Sequence, residues 1–373
     1  MNNYYNPVHT ICGNNACEQV IEIVEELDAN KVLLIAWTEE IFNMPSFSRL
    51  IESNKHNVKA ICFNESNPTV EQLFEVYSDT ATFSPEIVIA VGGGSVMDVG
   101  KSLCCLYGKK IDSADELRRI ISESDYGDIN AKWIGVPTTS GTGSEVTCWA
   151  TIWDPQKNAK RSVESKQNYA YAAVVDGELT KGMPIKLAVS SALDAVAHAV
   201  ESYWANGSNA VSKALALGAI RTIMSNIDSL LDGDTKAHEY MAQGSMIAGL
   251  AFSNTKTTAC HSISYPLTMH YNIPHGTAVS MLIAPVMKIN SENTENISFL
   301  LNALGVDSCE AVEDKIKNIL NRAEITCTLK EWHVDYDNIP ILASQGRTKG
   351  RADNNPIALT SEKIEDILRS IYG

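Results

Sequence analysis

Four side chains in the second half of this chain have the types and spacing to hold a metal ion. Asp194 and His198 stand four apart in SALDAVAHAVESYWA, so on a helix they share one face. His261 and His275 stand fourteen apart in ACHSISYPLTMHYNIPHGTAVSM, the second inside Pro274-His275-Gly276. One carboxylate and three imidazoles make a four-ligand set for a divalent transition metal. The set suits Zn²⁺ or Fe²⁺ without selecting between them. His270 lies between the two histidines and reads as a structural or surface residue. His9, His56, His238 and His333 fit no partner pattern.

A second, independent signal lies upstream. Val91-Gly92-Gly93-Gly94-Ser95 follows a buried strand, and a helix can begin at Val96. Glycines let backbone approach a pyrophosphate closely, and a helix N-terminus offers free N–H groups and a positive dipole end. The spacing is not the usual G-x-G-x-x-G, so this turn alone is a weak signal. A second loop strengthens it. Pro137 to Glu145, PTTSGTGSE, carries the hydroxyls of Thr138, Thr139, Ser140, Thr142 and Ser144. Hydroxyls and free amides suit phosphate and ribose oxygens. Trp37 stands at the end of the Val32–Ala36 strand, where an acid often binds the ribose hydroxyls, so exclusion of the NADP 2′-phosphate is weakened. A metal site and a nucleotide site in one chain suggest metal-assisted hydride transfer.

The elements that must position these groups change character along the chain. Val32–Ala36, Val58–Cys62, Glu86–Val91, Trp133–Val136 and Ala172–Asp176 read as buried strands with amphipathic segments between them. Such runs predict a mainly parallel sheet covered on both faces. After Asp176 the stretches 187–204, 210–231, 237–252, 310–321 and 361–372 show helical periodicity alone. Gly182-Met183-Pro184 is turn chemistry, and a boundary at 178/179 separates an α/β dinucleotide-binding domain (1–178) from an all-helical metal and substrate domain (179–373).

Composition bounds the partners. The chain has 373 residues, enough for two domains without disulfides or structural metals. Its formal charge of −15 argues against nucleic acid or an anionic membrane. The nine cysteines show no CxxC spacing and read as reduced thiols; Cys260 adjoins the metal segment but reads as core. The N-terminus lacks the parts of a signal peptide, and no apolar run is expected to approach the ~18 residues of a membrane span. A cytoplasmic enzyme is expected.

Four segments carry a resemblance: GGGSVMDVGKS (92–102), VPTTSGTGSEVT (136–147), DAVAHAVESY (194–203) and HSISYPLTMHYNIPHG (261–276). Together they resemble the iron-containing, or group III, alcohol dehydrogenases, relatives of dehydroquinate synthase and glycerol dehydrogenase, over nearly the whole chain. The resemblance implies the two-domain fold just described, with Fe²⁺ or Zn²⁺ on Asp194, His198, His261 and His275 and with NAD(P)H as cofactor. It places Gly93, Gly94, Ser95, Asp98, Thr138, Thr139, Thr142 and a lysine near position 160 at the nucleotide. Lys160-Arg161 leaves that last match open. A homodimer acting on a small aldehyde or alcohol is implied. Many family members carry a histidine four residues after the third ligand, where this chain has Tyr265. Tyr265 and His275 are expected at the reacting centre. A phenol can donate to a substrate oxygen, but with a pKa near ~10 it is a poor proton shuttle at neutral pH.

The SYPLT and PHG segments look like the branch that includes phosphonoacetaldehyde reductases. Arg347, Lys349 and Arg351 are the cations that could meet a phosphonate. Reduction of phosphonoacetaldehyde to 2-hydroxyethylphosphonate is the expected reaction. The alternatives are a dehydrogenase of a simple primary alcohol or small diol and, more remotely, a dehydroquinate synthase-like lyase.

Overall fold

The structure, a computed structural model, describes residues 3–157, 159–348 and 350–373. The chain divides into two compact units. One comprises Asn6–Thr139 with Ser144–Leu179. The other comprises residues 3–5, Ser140–Gly143 and Thr180–Gly373.

The first unit is built on six parallel strands: β1 (His9–Cys12), β2 (Lys31–Ala36), β3 (Asn57–Cys62), β4 (Ile87–Gly92), β5 (Lys132–Pro137) and β8 (Ala172–Val175). Their order across the sheet is β1-β8-β5-β4-β2-β3. Both faces are covered, as the continuous apolar runs require. Val32, Leu34 and Ala36 of β2 join one hydrophobic core while Leu33 and Ile35 join the other, because successive side chains of a strand point to opposite faces. The first unit's helices are α1 (Gln19–Glu26), α2 (Pro45–Ile51), α3 (Val70–Thr80), α4 (Gly94–Leu106) and α5 (Ala114–Glu123). A hairpin of β6 (Trp149–Asp154) and β7 (Ala159–Glu164) pairs separately. From β2 the chain runs outward to β3, then returns to β4 on the other side of β2. That reversal is a topological switch point, where open α/β sheets bind ligands beyond the strand C-termini.

The second unit is helical among the described residues, from α6 (Ile185–Trp204) through α7 (Ala210–Met224), α8 (Ile227–Leu231), α9 (Ala237–Thr255), α10 (Ala259–Tyr271), α11 (His275–Asn290), α12 (Ile297–Leu304), α13 (Cys309–Arg322) and α14 (Ile339–Gln345) to α15 (Ser361–Ser370). Against the expectation from sequence, Ala210–Leu231 is long and apolar enough by composition to cross a membrane. Here it is two helices, broken at Ser225 and Asn226, and α7 packs on α6 and α9. The central helix α6 is buried almost all round from Ala188 onward, the expected state of a helix apolar on every side. Two glycines allow the close packing near the histidines. A Cβ on Gly276 would strike the carbonyl oxygen of Ser190 in α6, and one on Gly143, at φ 56°, would lie 2.5 Å from the Cα of Gly249 in α9.

Candidate functional site

Helix α6 carries Asp194 and His198, helix α10 carries His261, and His275 opens α11. The ligand atoms of Asp194, His261 and His275 lie within 4.8 Å of one another. Asp194 Oδ1 is 3.4 Å from His261 Nε2 and 3.9 Å from His275 Nε2. Asp194 and His261 are buried, and the two facing atoms, Oδ1 and Nε2, have no hydrogen-bond partner. A buried polar atom left unpaired costs about 1–3 kcal/mol, so native structures pair nearly all of them. A divalent cation between these atoms would satisfy both, and the donor set therefore fits the expected metal.

His198 stands beside that cluster. Its ring lies between His261 and Phe252, with centroids 4.2 Å from each. Its Nδ1 is 3.3 Å from the Gly141 carbonyl oxygen and 3.9 Å from Asp194 Oδ2. With Nδ1 turned to the carbonyl, Nε2 is the atom left for a metal. Burial opposes the Asp194 anion, yet the imidazoles of His198, His261 and His275 outweigh it and hold the carboxyl below its usual range. Burial pulls His198 down, against the pull of Asp194. His261 goes the other way: burial opposes its charge, but Glu201 and Asp194 raise it.

Glu201 is the residue that the sequence reading missed. It is fully buried on α6. One oxygen, Oε1, accepts from the backbone N–H of Thr258 (3.1 Å) and Cys260 (2.7 Å) and from the Thr258 hydroxyl (2.8 Å). The other, Oε2, meets His261 Nδ1. The signal was available: 194, 198 and 201 are spaced i, i+4, i+7, one face of a helix.

Tyr265 lies one turn along α10 from His261. Its ring is parallel to that of His275, at 5.9 Å and 4°. The guanidinium of Arg351 sits 5.0 Å from the Tyr265 ring centroid, and its Nε donates to Thr257 Oγ1 at 3.0 Å. Arg351 is half-buried and forms no ion pair among the described residues. Arg347 is exposed, and Lys349 lies outside the described residues.

In the α/β unit, Gly93 is the N-cap of α4 and supplies no side-chain cap, so the first N–H groups of that helix are open to a ligand. A Cβ on Gly93 would crowd Thr139 Cγ2 at 3.3 Å. Thr138 N–H donates to the Gly92 carbonyl, extending the β4–β5 pairing into the loop. Trp37 follows β2 directly and is 47% exposed, its N–H bonded to the Val91 carbonyl next to the glycine turn. Trp37 and the turn thus stand at the two strands of the switch point. Ser95 Oγ accepts from the Asn67 N–H. Lys160 stands over Trp153, 5.7 Å from the ring centroid, and its charge acts on Asp98. Arg161 is engaged with Asp154 at 2.6 Å.

The hydroxyl-rich loop does not act as one piece. Ser140 and Thr142 belong to the helical unit, and Thr138, Thr139 and Ser144 to the α/β unit. Ser140 is buried with an unpaired Oγ. Ser144 is also buried, and its hydroxyl is taken up by Lys101 Nζ (2.8 Å) and Asp98 Oδ1 (3.4 Å). Lys101 donates as well to Thr147 Oγ1 and the Trp149 carbonyl, both at 2.9 Å. Burial pulls Lys101 down to about 8, against Asp98 and Glu145. Burial likewise pushes Asp98 up to about 6 and Glu145 up to about 7.

Residues 7–177 match the sequence model for iron-containing alcohol dehydrogenase, and residues 188–372 match the C-terminal model of the same family. The chain belongs to the iron-containing alcohol dehydrogenase family. It is therefore an oxidoreductase of the iron-type, NAD-linked kind. Among relatives, it is 29% identical to an NADPH-dependent butanol dehydrogenase of Clostridium saccharobutylicum, covering 84% of each chain. It is 30% identical to a 4-hydroxybutyrate dehydrogenase of Clostridium kluyveri, covering 82% of this chain and 84% of that one. The crystal structure of a sulfoacetaldehyde reductase from Bifidobacterium kashiwanohense in complex with NAD⁺ superposes with a TM-score of 0.89 at 26% identity, covering 100% of this chain and 98% of that one.

Proposed function

We propose that the protein reduces a short aldehyde bearing an anionic group to the primary alcohol, with phosphonoacetaldehyde as the preferred substrate. Asp194, His198, His261 and His275 would hold the divalent metal. When bound, it supplies Lewis acidity toward the carbonyl oxygen, and the nicotinamide supplies the hydride. The nucleotide would lie on the open N-terminus of α4, with Gly93, Gly94, Ser95, Thr138, Thr139 and Lys160 toward its phosphates and ribose. Tyr265 offers a phenolic O–H beside His275 that can donate to the substrate oxygen.

The anionic substrate rests on one observation, Arg351. A half-buried arginine that forms no ion pair among the described residues sits over the ring that itself stacks on His275. A chain of charge −15 repels anions in general. Burying a phosphonate without a cation is costly, and a planar guanidinium is the residue suited to it. Two of the similar proteins, by their names, act on molecules with a charged tail, a sulfonate and a carboxylate.

The test compares phosphonoacetaldehyde with acetaldehyde by NADH and NADPH absorbance. The charged aldehyde should be turned over with the higher kcat/KM. Arg351→Ala should cost it about 1.5–3 kcal/mol in KM while sparing acetaldehyde. Equal or better turnover of an uncharged aldehyde or a diol by the wild type would sink the phosphonate reading. Absence of any net change in NAD(P)H would point to lyase-type chemistry instead.

A further inference from the structure

We infer that Glu201 is the positioning residue of the metal centre, with one carboxylate holding both the His261 ring and the start of the helix that carries it. The N-cap residue of α10, Thr258, makes no side-chain cap. The N–H groups of a helix's first turn have no partner within the helix. At α10 they are met instead from α6: Oε1 of Glu201 takes the N–H groups of Thr258 and Cys260 and the Thr258 hydroxyl. Oε2 is then committed to His261 Nδ1. With a proton on Nδ1, Nε2 carries the lone pair that faces Asp194 Oδ1, and the ring is locked in that orientation.

Only a carboxylate serves both sides, since it accepts on two oxygens. A glutamine of the same shape has one acceptor and one donor. If its oxygen faces the helix, its NH₂ opposes His261 Nδ1–H. If it turns over, its NH₂ opposes the amides of Thr258 and Cys260. With the proton on His261 Nδ1, as a metal on Nε2 requires, Glu201→Gln keeps volume and packing but sets one donor against another in either pose.

The inference rests on the ligand set proposed above and is independent of the substrate. Zn²⁺ is titrated into chelator-stripped protein against a competing chelator of known affinity, for the wild type, Glu201→Gln and His275→Ala. We expect Glu201→Gln to bind Zn²⁺ about 10–100-fold more weakly, while the metal-free variant still melts as a folded protein. A purely structural role would lower the melting temperature of both metal-free and metal-loaded forms and leave the Zn²⁺ dissociation constant unchanged; that result overturns the inference. Should His275→Ala also bind Zn²⁺ like the wild type, the ligand set itself falls. If Glu201→Gln does not fold, the Zn²⁺-loaded wild type decides by proton NMR. A strongly deshielded, exchange-protected imidazole N–H that disappears in His261→Gln supports the pairing, and its absence overturns it.

Discussion

Two buried charged clusters, one in each unit, look alike in composition and differ in what they leave undone. Around Asp194 and His261, facing polar atoms are sealed from water and unpaired. Around Lys101, each of the three ammonium hydrogens has an acceptor of its own: Ser144, Thr147 and the Trp149 carbonyl. The first arrangement is incomplete without a cation. The second is complete as it stands and holds the loop after β5 against α4. Buried charge alone does not mark a ligand site; at Asp194 and His261 the second sign is that two unpaired atoms from different helices face each other.

The sharpest way to break the contrast is to remove a ligand. His275→Ala should stay folded, because the apolar core around α6, α9 and α11 does not depend on it. It should lose bound metal and more than about a thousandfold in kcat/KM, on the order of 4 kcal/mol of transition-state stabilisation. Metal analysis and circular dichroism check this together. Full activity of the variant in metal-free buffer would remove the assignment.

The comparison also explains what the sequence could tell. The buried strands were legible because β2, β4 and β5 are continuous apolar runs, and Asp194 and His198 because their spacing is helical. The hairpin β6–β7 was not, since neither WATIWD nor AKRSVE alternates polar with apolar residues; only the burial along β6 alternates, and that appears once the chain is folded. β1, four residues long at the sheet edge, has almost no pattern to read. Ser144 shows a different limit. Its type suits a phosphate, but its hydroxyl is bonded to a lysine forty-three positions earlier, and such a pairing is invisible until the chain folds. Glu201 was legible by spacing, since 194, 198 and 201 share one helical face, but nothing in the sequence alone says that its carboxylate meets His261. Among the cations in the C-terminal segment, composition could not say that Arg351 rather than Arg347 would reach Tyr265.

A second prediction probes the completed cluster through pH. Glu145 is buried, and its folded pKa is raised from 4.5 to about 7. Between those values the folded state binds more protons than the unfolded state, so stability falls as pH rises through the window. Asp98, raised from 3.8 to about 6, adds to the same slope. Lys101 acts in the opposite sense at higher pH: its pKa is lowered from 10.5 to about 8, so the unfolded state binds more protons there and stability recovers. Glu145→Gln should match the wild type at pH 4.5 and exceed it by about 1–3 kcal/mol at pH 8. Urea melts at the two values give the answer, and an unchanged difference between them would mean that Glu145 does not titrate in this range.

The smallest expected effect lies at the open end of the same unit. Trp37 follows β2 at the switch point, beside the glycine turn and well exposed, where a carboxylate would bind the ribose hydroxyls and repel a 2′-phosphate. An indole repels neither cofactor, so NADH and NADPH should support reduction within about tenfold of each other, or ~1.4 kcal/mol. Trp37→Asp should leave NADH close to its wild-type kcat/KM and weaken NADPH by about tenfold or more, because the new charge faces the added phosphate. The ratio of kcat/KM for the two cofactors, measured at low and high salt, isolates the electrostatic part, which salt screens at an exposed position. A wild type that strictly prefers NADH, or a variant that leaves the ratio unmoved, would place the ribose away from Trp37 and return the choice of cofactor to the loops around Gly93 and Thr138.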